Sequence, residues 1–280
     1  MTHDVDSGFF GDLPYFLHDL RPSGFLGRLI PRRHPELGLP ENIQLWTSNQ
    51  CLSYITRYGW NLPGNFIVGD EAFRLYIENA KSGGKSTRLE DRPTYYANMA
   101  DNVLTAGEPG SSAAGEQPKF IASREPGPIE VLVKFSPPLI NSVAQRIADL
   151  LVAEHIAHRT IAAHGHSSVP SEIIASHNRL FLEMERFDRT PGGGRRGIMS
   201  LFPIDAEFVG SLRSWTDTAR TLLAQQRISD PVYDEISWRE FFGHLIANTD
   251  MHSGNLSFFT RGTRLLEVAP SYDMLPMLYA

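Results

Sequence analysis

Between positions 244 and 273 the chain reads as an apolar helix, a polar loop and a hairpin in immediate succession, HLIANTDMHSGNLSFFTRGTRLLEVAPSYD. This order constrains the fold more than any other stretch. The helical run reaches Asn248 and breaks at Thr249-Asp250, and the loop Asp250-Met251-His252-Ser253-Gly254-Asn255 follows. Two short apolar runs come next, 256–260 and 265–269, joined by Arg261-Gly262-Thr263. A glycine-centred joint between β-prone runs predicts a hairpin. A hairpin returns the chain to its starting point. Asp250, Asn255 and Asp273 can therefore converge although they are distant in sequence.

Those residue types fit one chemistry. Phosphoryl transfer needs a carboxylate near the acceptor hydroxyl, to orient it and take its proton, and hard oxygen ligands for Mg²⁺. Asp250 suits the first task; Asn255 and Asp273 suit the second. Asp, then Asn five residues on, then Asp after a hairpin is the arrangement of a protein-kinase catalytic loop. A helix cap at Asp250 and turn roles for the other two form the plain alternative, and for any one of them it is the better account. Three such groups, each at the end of an apolar element, favour the functional reading.

Composition narrows the rest. A chain of 280 residues has room for one large or two ordinary domains. Apolar residues make up 41% and charged ones 21%, as in globular proteins with a sizeable core. Net charge is -6, so no overall electrostatic attraction to DNA or RNA is expected. The opening MTHDVDSGFF is acidic and polar where a signal peptide is basic and then apolar. No apolar run approaches the length that spans a bilayer. The single cysteine, Cys51, excludes an internal disulfide, suits a reducing cytoplasm and reads as a small core residue.

Residues 1–100 hold aromatic-rich pieces punctuated by glycine and proline, such as Gly24-Phe25-Leu26-Gly27-Arg28. A helix is expected from Leu39-Pro40-Glu41, and another capped by Asp70 and running through Ala80. Gly84-Lys85-Ser86 lacks the upstream glycine of a P-loop, position 79 being Asn, and reads as a solvated turn. Residues 107–120, GEPGSSAAGEQPKF, are small, polar and flexible. Residues 129–135, IEVLVKF, alternate as a strand: Ile129, Val131, Val133 and Phe135 face one way, Glu130, Leu132 and Lys134 the other. Lys134 is either a solvated lysine on a strand edge or a phosphate-binding lysine of the kind found on a kinase small-lobe strand.

Ser142 and Gln145 stand at capping-box spacing. Helical periodicity then continues to Ala163 through Val143, Ile147, Leu150, Leu151, Ile156 and Ile161. Glu154 lies inside that helix, where a kinase places the glutamate that holds the strand lysine. His155, His158, His164 and His166 lack a cysteine or a placed carboxylate, and read as surface and helix-end histidines rather than a metal site. Strands are expected at 180–187 and 197–204, around a mobile Pro191-Gly192-Gly193-Gly194 loop. A helix over 215–227 follows. Asp230-Pro231 opens the last helix, 231–248, with Asp as cap and Val232, Ile236, Phe241, Leu245 and Ile246 buried.

With these pieces in place the chain resembles the HipA family of bacterial serine/threonine kinases, the toxin half of type II toxin–antitoxin pairs. The likeness runs from about residue 107 to the C-terminus on specific motifs. Over residues 9–100 it is nearer to the YjjJ-type HipA-like branch, through PYFLHDLRPSGFLGR and LPGNFIVGDEA. SSAAGEQPKF resembles the family's phosphate-covering loop, which implies ATP contacts for Gly115, Gln117 and Lys119 and autophosphorylation at Ser112. VLVKF implies that Lys134 is the ATP lysine, with Glu154 as its partner. EMERFDR resembles the hinge, where groups around Glu185 and Phe187 meet adenine. NTDMHSGN resembles the catalytic loop and implies Asp250 as base, Asn255 on Mg²⁺ and His252 near the phosphates. APSYD resembles the metal-binding segment, with Tyr272 lining the cleft and Asp273 on Mg²⁺.

The resemblance implies an α+β, two-lobed, kinase-like fold. Its expected divisions are a HipA-like N-terminal subdomain (1–100), a small β-rich lobe with phosphate loop, lysine strand and hinge (101–190), and the start of a helical lobe (191–280). HipA-like kinases continue for roughly a hundred residues beyond the metal aspartate. Here 274–280 follows it, so an incomplete helical lobe is expected. The implied activity is ATP- and Mg²⁺-dependent phosphorylation of a protein Ser or Thr. Some members take an aminoacyl-tRNA synthetase as substrate, and a DNA-binding antitoxin is the implied partner. Two rivals stay open: a nucleotide- or partner-binding module without turnover, and a metal-dependent nuclease.

Overall fold

The structure, a computed structural model, describes residues 13–82, 86–106, 117–211 and 213–277. Its N-terminal part is helical. A 3-10 turn over Tyr15–Leu20 leads to two short helices, α1 (Gly24–Arg28) and α2 (Ile30–Arg33), and then to α3 (Ser48–Tyr58) and α4 (Asp70–Lys81). The helix expected from Leu39-Pro40-Glu41 does not form there. A capping box between Thr47 and Gln50 starts α3 at Ser48 instead, and the Pro40 carbonyl accepts from the Trp46 indole N–H at 2.7 Å. Asp70 is the first residue of α4 rather than its cap. Gly69 precedes it at φ +91°, where a Cβ would stand 2.7 Å from the Thr56 carbonyl oxygen. Cys51 is buried among Leu20, Ile30, Trp46 and Ile55, as a core residue should be.

The middle of the chain builds a sheet covered on both faces. α5 (Arg92–Ala106) precedes β1 (Lys119–Arg124) and β2 (Ile129–Phe135); α6 (Ser142–Ala163), β3 (Ser171–Ser176) and β4 (Arg179–Glu185) follow. The strands pair antiparallel in the order β1-β2-β4-β3, so β2 is internal. The alternation within β2 feeds two cores. Val131, Val133 and Phe135 pack with Phe120, Phe181 and Tyr96 of α5. Leu132, on the other face, joins Leu182, Met184 and Leu151 of α6. Lys134 shares the α6 face and is only 4% exposed, so it is no solvated edge lysine. In α6 the buried positions include Ala144, Ala148, Leu151, Glu154, His158 and Ile161, while Val143 and Ile156 of the expected stripe are exposed. The cap of α6 is Asn141, whose side chain accepts from the Ala144 amide, one residue ahead of the expected Ser142.

Two short strands, β5 (Arg189–Thr190) and β6 (Gly194–Arg195), form a small hairpin. Beyond it β7 (Gly197–Ser200) leads into α7 (Leu201–Phe208), α8 (Trp215–Ala224) and α9 (Asp230–Leu245), then β8 (Ser257–Arg261) and β9 (Arg264–Val268). β8 and β9 are the expected hairpin, and β7 pairs with β8. The strand expected over 197–204 stops at Ser200. Its amide and hydroxyl both donate to Asp19, and Pro203, in the first turn of α7, cannot extend a ladder. In α9 Ser229 is the cap, with Asp230 and Pro231 in the first turn. Ile236 is fully buried with Trp215, Leu222, Met199 and Phe258, and Val232 and Ile246 pack against them as expected, but Phe241 and Leu245 are exposed. No helix among the described residues is long and apolar enough to cross a membrane.

Candidate active site

α9 ends where the site begins. Ile246 caps the helix, Ala247 takes φ +55°, and the Asn248 amide closes back on the Gly243 carbonyl at 2.9 Å. Such a reversal normally has glycine at its left-handed position. It carries the chain out of the helix sooner than periodicity suggests. From there Asn248 reaches two ways: its Oδ1 accepts from the Asp250 amide at 3.1 Å, and its Nδ2 donates to the Asp273 carbonyl at 3.4 Å. Asn255 Nδ2 donates to the Asp250 carbonyl at 2.9 Å, and the Tyr272 hydroxyl donates to the Gly254 carbonyl at 2.8 Å. The hairpin thus returns the chain, and these bonds bring Asp250, Asn255 and Asp273 together.

Lys134 faces them from β2. Its Nζ donates to both Glu154 oxygens, at 2.7 and 2.8 Å, and also to Asp273 Oδ1. Asp273 sits at φ +52°, a left-handed backbone that aspartate tolerates better than most L-residues. Burial alone would push the Lys134 ammonium down, but the Asp273 and Glu154 carboxylates outweigh it and hold it above its ordinary value. Burial would likewise raise Asp273; Lys134 and Lys119 overcome that and hold it well below the carboxylate range. Burial keeps Glu154 above its ordinary value despite Lys134. Lys134 therefore lies directly between two carboxylates, and Lys119 adds to its field on both.

Of the other predicted site residues, Lys119 and Tyr272 adjoin this cluster through the β1–β2 ladder and the chain next to Asp273. Lys119 stands opposite Lys134 in the ladder, and Gln117 has a buried Nε2 with no hydrogen-bond partner among the described residues. Gly115 and Ser112 lie outside the described residues. The Phe187 ring stacks on Tyr272 with centroids 5.6 Å apart and meets Phe259 edge-on. Burial pushes the Tyr272 hydroxyl up. The Glu185 amide already donates to the Pro170 carbonyl at 3.0 Å, and its carboxylate accepts from Arg124. Asp250 and His252 are exposed; the His252 ring accepts from the Gly254 amide, and the Trp215 indole N–H holds the His252 carbonyl at 3.1 Å.

The histidines of α6 and its exit go separate ways. His155 and His158 lie 2.9 and 3.4 Å from the Ser171 hydroxyl, His164 meets the Thr160 carbonyl, and His166 meets Glu235. Among the described residues no group of three or more His, Cys, Asp or Glu is placed to hold a metal ion. His158, however, is no surface histidine. It is 1% exposed, its Nε2 makes no hydrogen bond, and burial together with Lys134 pushes the imidazole down to about 3. Sequence reasoning missed His158, Trp215 and Asn248. The available signal for two of them was a polar residue within an apolar stripe: His158 lies one turn past Glu154, and Asn248 ends an apolar run.

A family profile described as the HipA-like C-terminal domain matches residues 111–280, more than half of the chain. The chain belongs to the HipA-like family. A second profile, the YjjJ-like toxin middle domain, matches residues 1–77. This HipA-like chain is 39% identical to the toxin YjjJ of Escherichia coli strain K12 over 283 residues, which covers 99% of the chain but 63% of that relative. It therefore spans less than two thirds of the length of the curated protein it matches. HipA of Shewanella oneidensis MR-1, solved with HipB and operator DNA, superposes with a TM-score of 0.57 at 19% identity, covering 93% of this chain and 63% of its own. The Helicobacter pylori proinflammatory kinase CtkA gives a TM-score of 0.43 at 17% identity, over 56% of this chain and 55% of its own. The fold is the expected one: α+β, two-lobed and kinase-like, of the HipA type.

Proposed function

We propose that this HipA-like chain carries the machinery of a toxin-type serine/threonine kinase, transferring the ATP γ-phosphate to a protein hydroxyl. One observation carries the reading: Lys134 lies between Glu154 and Asp273, and Asp273 is tied through Asn248 to Asp250, itself bonded to Asn255. Lys134 holds the phosphates, and Glu154 holds Lys134. Asp250, exposed at the cleft, orients the acceptor hydroxyl and takes its proton. Asp273 and Asn255 suit Mg²⁺. Asn255 gives its Nδ2 to the Asp250 carbonyl, so the amide oxygen is its ligand atom, and the Asp273 carboxylate, held ionised by Lys134 and Lys119, is a hard oxygen ligand for a cation. When bound, Mg²⁺ supplies neutralisation of the charge on the transferring phosphoryl group.

Gly115, Gln117, Lys119 and His252 lie toward the phosphates in this reading; Glu185, Phe187 and Tyr272 form the adenine side, and Ser112 is an autophosphorylation site. Residues 1–100 form the N-terminal subdomain, 101–190 the small lobe and 191–280 the start of the large one. The E. coli relative is named a toxin, and the Shewanella HipA was solved with HipB and operator DNA. Both support a DNA-binding antitoxin as partner, and the family likeness supports a translation-linked protein substrate such as an aminoacyl-tRNA synthetase. The test is transfer from γ-labelled ATP with Mg²⁺. Wild type should label protein, and Asp250→Asn should label at least about 10²-fold more slowly. Equal labelling would remove Asp250 from its role. Nucleotide-dependent thermal stabilisation with no turnover in either would leave a binding module instead.

A further inference from the structure

We propose that Asn248 is a positioning residue of this site: one buried carboxamide sets where Asp250 stands relative to Asp273. The proposal rests on the kinase reading for its catalytic consequence, but its geometry does not.

Asn248 is 5% exposed and directly follows the left-handed Ala247. Its backbone amide is pinned to the end of α9 by the Gly243 carbonyl, so its side chain projects from a fixed point. That side chain accepts from the Asp250 amide at 3.1 Å, donates to the Asp273 carbonyl at 3.4 Å and touches Met274 Sδ at 3.6 Å. Asn255 and Tyr272 also tie these segments, at the Asp250 and Gly254 carbonyls, and Lys134 holds the Asp273 side chain, but Asn248 is the side chain bonded to the backbones of both Asp250 and Asp273. Asp250 lies in an exposed loop without regular structure, and Asp273 takes a left-handed backbone in an irregular segment. The chemistry also demands this residue type. Aspartate could accept from the Asp250 amide but not donate to the Asp273 carbonyl; leucine could do neither, and would strand both backbone groups. A helix end thereby transmits its rigidity to the proposed base and to the proposed metal ligand together.

Asn248→Ala and Asn248→Asp, beside wild type and Asp250→Asn, test this with two readouts. One is steady-state transfer. Asn248→Ala should lower kcat by about 10²-fold, the size of a small misplacement of reacting groups, while the KM for ATP stays within about threefold. It should also raise the Mg²⁺ concentration needed for half-maximal rate, and Asn248→Asp should fall between it and wild type. The other readout is amide hydrogen exchange. In Asn248→Ala, exchange should speed up about tenfold in segments 249–256 and 271–277 and stay unchanged in β2. Asn248→Asp should protect the first segment and not the second. Exchange does not require the chain to be a kinase. If neither wild type nor Asp250→Asn transfers phosphate, the kinase reading fails and exchange still decides whether Asn248 ties the segments. Unchanged exchange in both segments overturns the proposal. So does a kcat for Asn248→Ala within about threefold of wild type, or a loss that only follows the unfolded fraction in a thermal melt.

Discussion

β2 contributes to two buried clusters of charge, Glu130 near its start and Lys134 near its end, and the two are balanced in opposite ways. Just past β4, Arg186, Arg189 and Arg195 gather around Glu130 and Asp188. Acceptors of the N-terminal part take up part of the surplus positive charge, while Arg189 Nε and Arg195 Nη1 stay buried without a hydrogen-bond partner among the described residues. Arg189 donates to the Leu62 carbonyl at 2.9 Å and to Asn61 Oδ1 at 2.7 Å, Arg195 donates to the Trp60 carbonyl, and the Gly64 amide donates to Asp188 at 2.8 Å. These bonds clamp the helical N-terminal part onto the sheet. In the cleft, Lys134 meets two carboxylates directly and Lys119 acts on both, and no backbone amide among the described residues is bonded to either carboxylate. An imbalance that the fold absorbs is architecture. An imbalance that it leaves open is where a cation would be accommodated.

Breaking the first cluster should cost the most stability. Asp188→Ala strands Arg186 and Arg189 in a dry setting and should destabilise the chain by about 3–5 kcal/mol. Transfer per folded molecule should barely change; urea unfolding beside kcat measures both. Lys134→Met should do the reverse. Transfer should fall by about 10²–10³-fold, with a smaller stability loss because the Asp273 side chain is 33% exposed and the buried Glu154, whose carboxyl burial already raises, can neutralise by taking a proton. A Lys134→Met chain less stable than Asp188→Ala would erase the distinction.

The clusters should also part in their response to acid. His158, beside Lys134 and Glu154, is held at about 3 in the folded chain, whereas an unfolded histidine titrates near 6.5. Between those values the unfolded state binds a proton that the folded state lacks. Stability should therefore fall as pH drops below about 6.5, by up to about 1.4 kcal/mol per unit, until about 3. Asp188 has its carboxyl held low, chiefly by Arg186 against the effect of burial, so its contribution persists above the unfolded carboxylate pKa and is lost only in stronger acid. Urea unfolding at pH 7.5, 6 and 5 should show a shallower decline for His158→Leu than for wild type, and an identical decline would count against a neutral buried His158. The smallest effect is expected at Ala247, which holds φ +55° without being glycine. Ala247→Gly should raise stability by about 0.5–1 kcal/mol, the left-handed cost relieved less the glycine entropy.

Much of this was legible in advance where it depends on local pattern. The range of β2, its two faces, the β8–β9 hairpin and the convergence of residues 250, 255 and 273 follow from period and turn chemistry. Errors arise where a neighbour distant in sequence decides. The strand read through residue 204 stops at Ser200 because Asp19 takes its amide. The stripe predicted for α9 includes Phe241 and Leu245, yet both are exposed because nothing described packs over them. Asn248 reads as the tail of a helix until its carboxamide is seen to bridge two loops.

By itself the sequence determined which groups were on offer: carboxylates, an amide and a lysine, each at the end of a regular element, in a chain of HipA type. Only the tertiary structure decided their state. Lys134 alternates onto a face that could have met water; α6 covers it, and Asp273 reaches it across 139 positions. Period tells which way a side chain points, because it follows from backbone geometry alone. Burial, charge state and partner depend on what lies opposite, and that is set by contacts no local pattern encodes.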